Sequence, residues 1–315
     1  MTLVITLGNE DQFIQLSDRR VSSGSSIISD ESNKSTIFRC KNGRFVVGFS
    51  GLAQAGRFKT RDWILDALFE SAKPDYLATK TLHRFNEKLS TEFLENKWLK
   101  NLHPKNLRLS IIFSGYLYNF NPPLMVCAIL TNFQDFDSGK DNAEPWTEFR
   151  ALYQKEKRPY EGSLAYIQRI GFWPAVTNND ISEFRKLLIH RADSTEIINN
   201  VVDKIRSIAD RPKAQGLIGK QISSITVPRN LDENITSDYH SNEIGYSTFM
   251  PSIVFAMGKG QSRIYKRISV SAQDPENARP LVVPKVPKNE PCPCGSTLKY
   301  KNCHGKKYFR DEDNN

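Results

Sequence analysis
Residues 1–34 read MTLVITLGNEDQFIQLSDRRVSSGSSIISDESNK and leave little freedom in how the chain begins to fold. Two apolar runs, Leu3-Val4-Ile5 and Phe13-Ile14-Gln15-Leu16, are split by the turn-prone Gly8-Asn9-Glu10-Asp11. That is the pattern of a β-hairpin. Its second strand delivers Asp18, and Lys34 follows after a polar loop. Thr2, small and able to act as a nucleophile, stands directly behind Met1.

A side chain as small as that of Thr2 permits removal of Met1, which leaves a hydroxyl and a free α-amine on one residue. Such an amine has a pKa of about 7.7–8.0, so a useful fraction is neutral at ordinary cellular pH. It can take the threonine proton directly or through a water, with no histidine required. A neighbouring lysine depresses the amine pKa and stabilises a developing alkoxide. A buried lysine needs a counter-charge, and Asp18 is the natural one. Thr2, Asp18 and Lys34 therefore read as nucleophile, orienter and electrostatic stabiliser.

These three residues, with Arg19, Arg20, Ser22, Gly24 and the run Val46-Val47-Gly48-Phe49-Ser50-Gly51-Leu52-Ala53, resemble the proteasome β-subunit and HslV family of N-terminal nucleophile hydrolases. Counted from Thr2, both Asp18 and Lys34 fall at the family's spacing without a gap. The resemblance implies that Gly51 supplies a backbone N–H to an oxyanion hole and that Ser22 pairs with an extended substrate backbone. It implies that Val21, Ser32, Phe49 and Ala53 line the first specificity pocket, with a preference for medium apolar side chains. It makes Arg20 structural, leaves Arg19 as an exposed charge, and reads Met1 as a one-residue leader like that of HslV. Two positions depart from the family. Ile170-Gly171 is followed by Phe172-Trp173 rather than serine, and residues 214–219, AQGLIG, lack the expected aspartate and serine.

Length and composition fit this picture. The chain has 315 residues, enough for one large or two modest domains, and 39% hydrophobic with 25% charged residues is the balance of a soluble globular protein. No apolar run approaches the roughly 20 residues a membrane span needs, and no signal peptide is visible. The net charge of +9 is spread among acidic residues, so nucleic acid is not expected as the primary target. Cys40 and Cys127 lie in apolar strand-like settings as reduced core residues, which fits a cytoplasmic location.

Further along, Arg39 to Gly51 reads as a second hairpin turning at Lys41-Asn42-Gly43, and Leu52 to about Ser71 and Tyr76 to Glu95 as helices. Leu107–Tyr118 and Leu124–Phe133 are strands. Residues 134–162 are charge-rich and read as an insertion serving as lid or subunit contact. Ser163–Gly171 and Gln221–Val227 are strands, Ile181–His190 and Ser194–Arg211 helices, residues 231–243 loop. Ser247–Met257 and Arg263–Val270 form a final hairpin on one sheet. Periodicity alone gives α+β; the resemblance implies a four-layer αββα sandwich over residues 2–272, followed by a Pro-rich linker, 273–290.

The segment from Pro291 reads PCPCGSTLKYKNCHGK. Cys292, Cys294, Cys303 and His304 offer three thiolates and one imidazole, a closed structural set for Zn2+. So short a segment cannot bury a core, and metal binding must supply its folding free energy. It resembles the SEC-C motif at the C-terminus of SecA, over residues 291–309, which implies docking to a protein or ribosome.

The leading reading is a threonine-type hydrolase of peptide or amide bonds, expected as a homo-oligomer. Two others stay open: a proteasome-like scaffold acting through its zinc motif and basic tail, and a small-molecule amidohydrolase.

Overall fold
The computed structural model describes residues 2–23, 26–30, 32–136, 140–142, 144–155, 165–241, 246–266, 269–273, 288–291 and 298–302. The principal strands in chain order are β1 (Leu3–Gly8), β2 (Gln12–Asp18), β3 (Val21–Ser23), β4 (Ser26–Ser29), β5 (Ser35–Cys40), β6 (Gly43–Gly51), β7 (Leu109–Leu117), β8 (Leu124–Thr131), β9 (Arg150–Lys155), β10 (Tyr166–Gly171), β11 (Ile222–Pro228), β12 (Thr236–His240), β13 (Tyr246–Met250), β14 (Ser252–Ala256), β15 (Arg263–Tyr265) and β16 (Ser269–Gln273). The helices are α1 (Thr60–Ala72), α2 (Ala78–Glu95), α3 (Asn178–Ile189) and α4 (Ser194–Ala209).

Most strands join two seven-stranded sheets, ordered β10-β1-β2-β11-β12-β13-β16 and β9-β8-β7-β6-β5-β14-β15. Alternation sorts the side chains of each strand between two faces. Leu3, Ile5 and Leu7 of β1 pack against Phe184 and Leu188 of α3 and Ile197, Val201 and Ile205 of α4. Phe45, Val47 and Phe49 of β6 pack against Leu65 and Leu68 of α1 and Leu82, Phe85 and Leu89 of α2. The remaining faces meet each other: Phe13 and Ile225 of the first sheet share a core with Ile37, Val46 and Tyr116 of the second. Side chains cap α3 and α4. Thr177 and Asp180 form a reciprocal capping box on α3, and the Asp193 side chain accepts from Glu196 N at 2.9 Å.

The structure departs from the sequence-based expectations in four places. Leu52 does not open a helix: residues 54–59 make a two-residue-stranded hairpin turning at Gly56, whose φ is +54°, and α1 begins only at Thr60. Within the expected insertion, Arg150–Lys155 is strand β9, pairing antiparallel with β8. The expected loop at 231–243 contains β12, paired with β11. The expected final hairpin divides between sheets, because Pro251 interrupts the run: β13 and β16 pair in the first sheet, β14 and β15 in the second. Proline offers no N–H to a ladder and so marks the crossing point.

Phe85 ties α2 to the second sheet, fully buried with ring centroids 5.5 Å from both Trp63 and Phe113. Phe85→Ala is expected to lower the unfolding free energy by about 3–5 kcal/mol, read as a drop in the urea midpoint at unchanged slope.

Candidate active site
Thr2 immediately precedes β1 and is 4% exposed. Its Oγ1 accepts a hydrogen bond from Lys34 Nζ, which also donates to the Arg20 carbonyl. Asp18 Oδ1 lies 3.7 Å from the same Nζ. Asp18 is fully buried and accepts three backbone N–H groups: Leu3 at 2.5 Å, Arg20 at 2.9 Å and Gly219 at 3.2 Å. The geometry follows from register. Asp18 is the last residue of β2 and stands opposite Ile222 of β11, so the chain entering β11 passes over its carboxylate. Arg20 fastens that segment, donating to Gly216 O at 2.8 Å and forking onto Asp30 at 2.7 and 3.0 Å.

Burial pulls the Lys34 ammonium down to about 8, with the Asp18 and Asp30 charges opposing the fall. Burial pushes the Asp18 carboxyl up from its ordinary value, against the pull of Lys34 and the three N–H donors. The Arg20 fork holds Asp30 below the usual carboxylate range.

The main chain of Thr2 is held independently of its hydroxyl. Ser50 Oγ donates to Thr2 O at 2.7 Å, the Phe172 N–H donates to the same oxygen at 2.9 Å, and Thr2 N donates to Ser50 Oγ at 3.3 Å. Gly171 has φ +89°, and a Cβ there would lie 1.7 Å from Thr2 O, so this crossing admits only glycine. Ser50 was not singled out from sequence, although alternation points to it. Phe45, Val47 and Phe49 share the helix-facing side of β6, which puts Val46, Gly48 and Ser50 on the side facing Thr2.

A cavity of about 650 Å³ opens in front of Thr2 and Lys34, and Val21, Ser22, Gly51 and Ala53 line it. Gly51 has φ +114° and approaches Arg108 O too closely for any Cβ. Two expected pocket residues do not line the cavity. Phe49 is 4% exposed and buried in the core beneath α1 and α2. Ser32 is half-buried, its N–H donating to Arg19 O at 3.0 Å. Arg19 is not an exposed charge: it is 3% exposed, its guanidinium 4.7 Å from the centre of the Tyr239 ring. Tyr239 comes from β12, the strand hidden by its polar sequence. Residues 214–219 reach the site through the Gly219 N–H and the Gly216 and Ile218 carbonyls. They bring no aspartate or serine side chain.

Met1, Cys292, Cys294, Cys303 and His304 lie outside the described residues. The described flanks of the cysteine cluster do converge. Pro291 and Lys299 form an antiparallel bridge, and Lys301 N donates to Lys288 O at 3.1 Å. Cys40 and Cys127 are buried free thiols, both pushed up to about 12 by burial. Among the described residues no helix is long and apolar enough to cross a membrane.

Residues 289–306 match the SEC-C motif family model, and the chain carries that motif. Over a stretch of 33 residues the chain is similar to the protein translocase subunit SecA of Bordetella pertussis and of Bordetella parapertussis, each 64% identical. That stretch is 10% of this chain and spans only 4% of the length of either SecA. Among solved structures, the chain is similar to Anbu (ancestral beta-subunit) from Yersinia bercovieri, at 10% identity and TM-score 0.44 over 72% of this chain and 81% of that one. It is also similar to the chain in the helical assembly of the Anbu complex from Pseudomonas aeruginosa, at 10% identity and TM-score 0.46 over 77% and 88%.

The Lys34 shift has a consequence for stability. The unfolded lysine keeps its proton up to its ordinary value of 10.5, whereas the folded one releases it near 8. The unfolded state therefore binds more protons between those values, and folding gains as pH rises through that window. Relative to Lys34→Met, the wild-type protein is expected to gain about 3 kcal/mol between pH 7.5 and 10.5, checked by paired urea melts at several pH values.

Proposed function
We propose that this chain is a threonine-type N-terminal nucleophile hydrolase of peptide or amide bonds, with residues 2–272 forming the four-layer αββα sandwich of that class. The hydrogen bond from buried Lys34 to the Thr2 hydroxyl, at the wall of an open cavity, carries the reading. With Met1 removed, the α-amine takes the hydroxyl proton as Oγ1 attacks the substrate carbonyl. The Lys34 ammonium stabilises the attacking oxygen, and the Gly51 N–H holds the oxyanion. The amine returns the proton to the departing nitrogen, leaving an acyl ester on Thr2. Water then attacks that ester with the amine again as base. Ser50, 3.3 Å from Thr2 N, orients the amine.

This mechanism needs a neutral amine together with a charged Lys34. The rate should therefore peak near pH 8 and fall on the alkaline side as Lys34, lowered to about 8, loses its proton. Intact mass, N-terminal sequencing and an epoxyketone or vinyl-sulfone probe test the proposal. Native protein should begin at Thr2 and carry the label there, and Thr2→Ala should carry none. Protein that begins at Thr2 and never labels ends the proposal.

One observation favours a second reading, a proteasome-like scaffold without turnover: residues 214–219 bring the site main-chain polar groups and the apolar Leu217, with no aspartate or serine side chain. Retained Met1 in protein from its native cell would select this reading over the first.

The C-terminal segment 291–309, beyond a linker at 273–290, is read as a zinc module for docking to a protein or ribosome. Three thiolates and one imidazole are a closed tetrahedral set with no position left for substrate, and the converging flanks at Pro291 and Lys299 support the reading. Zinc, when bound, supplies the folding free energy that so short a segment lacks. Purified protein is expected to hold one zinc per chain by metal analysis, and Cys303→Ala to lose it. Buried free Cys40 and Cys127 fit a reducing, cytoplasmic compartment.

A further inference from the structure
Resting on the hydrolase reading above, we propose that the cavity at Thr2 selects substrates with an acidic side chain next to the scissile bond, and that Lys105 and Arg108 set this preference. Four cationic residues line the cavity: Arg20, Lys34, Lys105 and Arg108. Among the described residues, no aspartate or glutamate lines it. The charges of Lys34 and Arg20 are met from behind, by Asp18 and Asp30. Lys105 and Arg108 add positive charge on another wall.

That wall adjoins the proposed oxyanion donor. Leu52 N donates to Arg108 O at 2.8 Å, and Gly51 is registered opposite Leu109. The Arg108 side chain is held in place, donating to Asn142 O at 2.9 Å and lying over the Phe133 ring at 5.6 Å. Lys105 lies within the short turn Pro104–Leu107 capped by His103, whose Nδ1 accepts from Lys105 N at 3.3 Å. The other sides of the cavity carry Val21, Ile28, Leu102 and Leu217. Apolar walls concentrate the field of fixed charges on what enters between them. A substrate side chain that combines a short aliphatic stem with a carboxylate matches both surfaces. A basic side chain meets like charge.

Binding tests the inference without turnover. Full-length Thr2→Ala protein is titrated, by fluorescence anisotropy, with two labelled peptides identical except for Glu or Leu at the residue whose carbonyl faces position 2. The Glu peptide should bind roughly ten-fold more tightly at low ionic strength, with the gap closing as salt is added. Lys105→Glu, at an exposed position, should bring the two affinities to parity, as should Arg108→Gln. Arg108→Lys, which keeps the charge, should retain the preference. Equal affinities for Glu and Leu peptides, or tighter binding of Leu, overturns the inference. A Glu preference that survives Lys105→Glu and Arg108→Gln together overturns the assignment to these residues. Failure of the hydrolase reading is seen separately, as wild-type protein that begins at Thr2 and does not label.

Discussion
A buried ammonium is the constraint around which this molecule is arranged. Lys34 is 2% exposed, and an unmatched charge at that depth would be prohibitive. Asp18 matches it, and the carboxylate is itself matched by N–H groups from three separate segments: the start of β1, the turn after β2 and the approach to β11. Removing any one of these segments leaves the buried carboxylate short of a donor. The ion pair therefore specifies where three stretches of chain must meet, and an apolar substitute would not impose that condition.

The same logic extends between the sheets. Beside the apolar clusters runs a layer of hydroxyls and amides with no charge. Ser17 lies 3.1 Å from Ser35 and 3.0 Å from Ser223, Ser35 donates to Gln15 Oε1 at 2.9 Å, and Gln15 donates to Thr6 at 3.2 Å. Gly48 leaves room for it, since a Cβ there would sit 2.3 Å from Gln15 Oε1. Hydrophobic contact alone tolerates sliding between sheets. Directional bonds between β2, β5 and β11 fix the offset at which Lys34, next to Ser35, reaches Thr2.

How much of this could be read in advance depended on how local each feature was. Thr2, Asp18 and Lys34 belong to one contiguous stretch, and strand alternation with a turn brings them near each other. The two hairpins were legible for the same reason. Phe49 holds a family pocket position, but strand parity puts it on one face with Phe45 and Val47, and that face packs on helices. Arg19 gave no local signal, since its burial depends on Tyr239 from a strand far along the chain. β12 was hidden because TSDYH lacks an apolar face, and strands whose stability comes from neighbours on both sides need not advertise themselves. The split of β13 from β14 was marked by Pro251, and its meaning as a crossing between sheets emerges only when both sheets exist.

The two ends of Thr2 are governed by different parts of the structure, and this separation gives the site its chemical character. Ser50 and Phe172 hold the carbonyl, so the residue cannot retreat when its hydroxyl is disturbed. Lys34 donates to the hydroxyl from the side of Asp18 and Arg20 O accepts from it at 3.4 Å, while the cavity addresses it from the other side. An oxygen fixed in position yet open on one face has most of its orientational entropy removed before anything binds, which is the condition under which a weak nucleophile becomes useful. The positive charge near that oxygen is partly cancelled by Asp18, and Lys105 and Arg108 add cations elsewhere on the cavity lining. Under the proposed hydrolase reading, recognition and chemistry would therefore draw on cations that line one cavity.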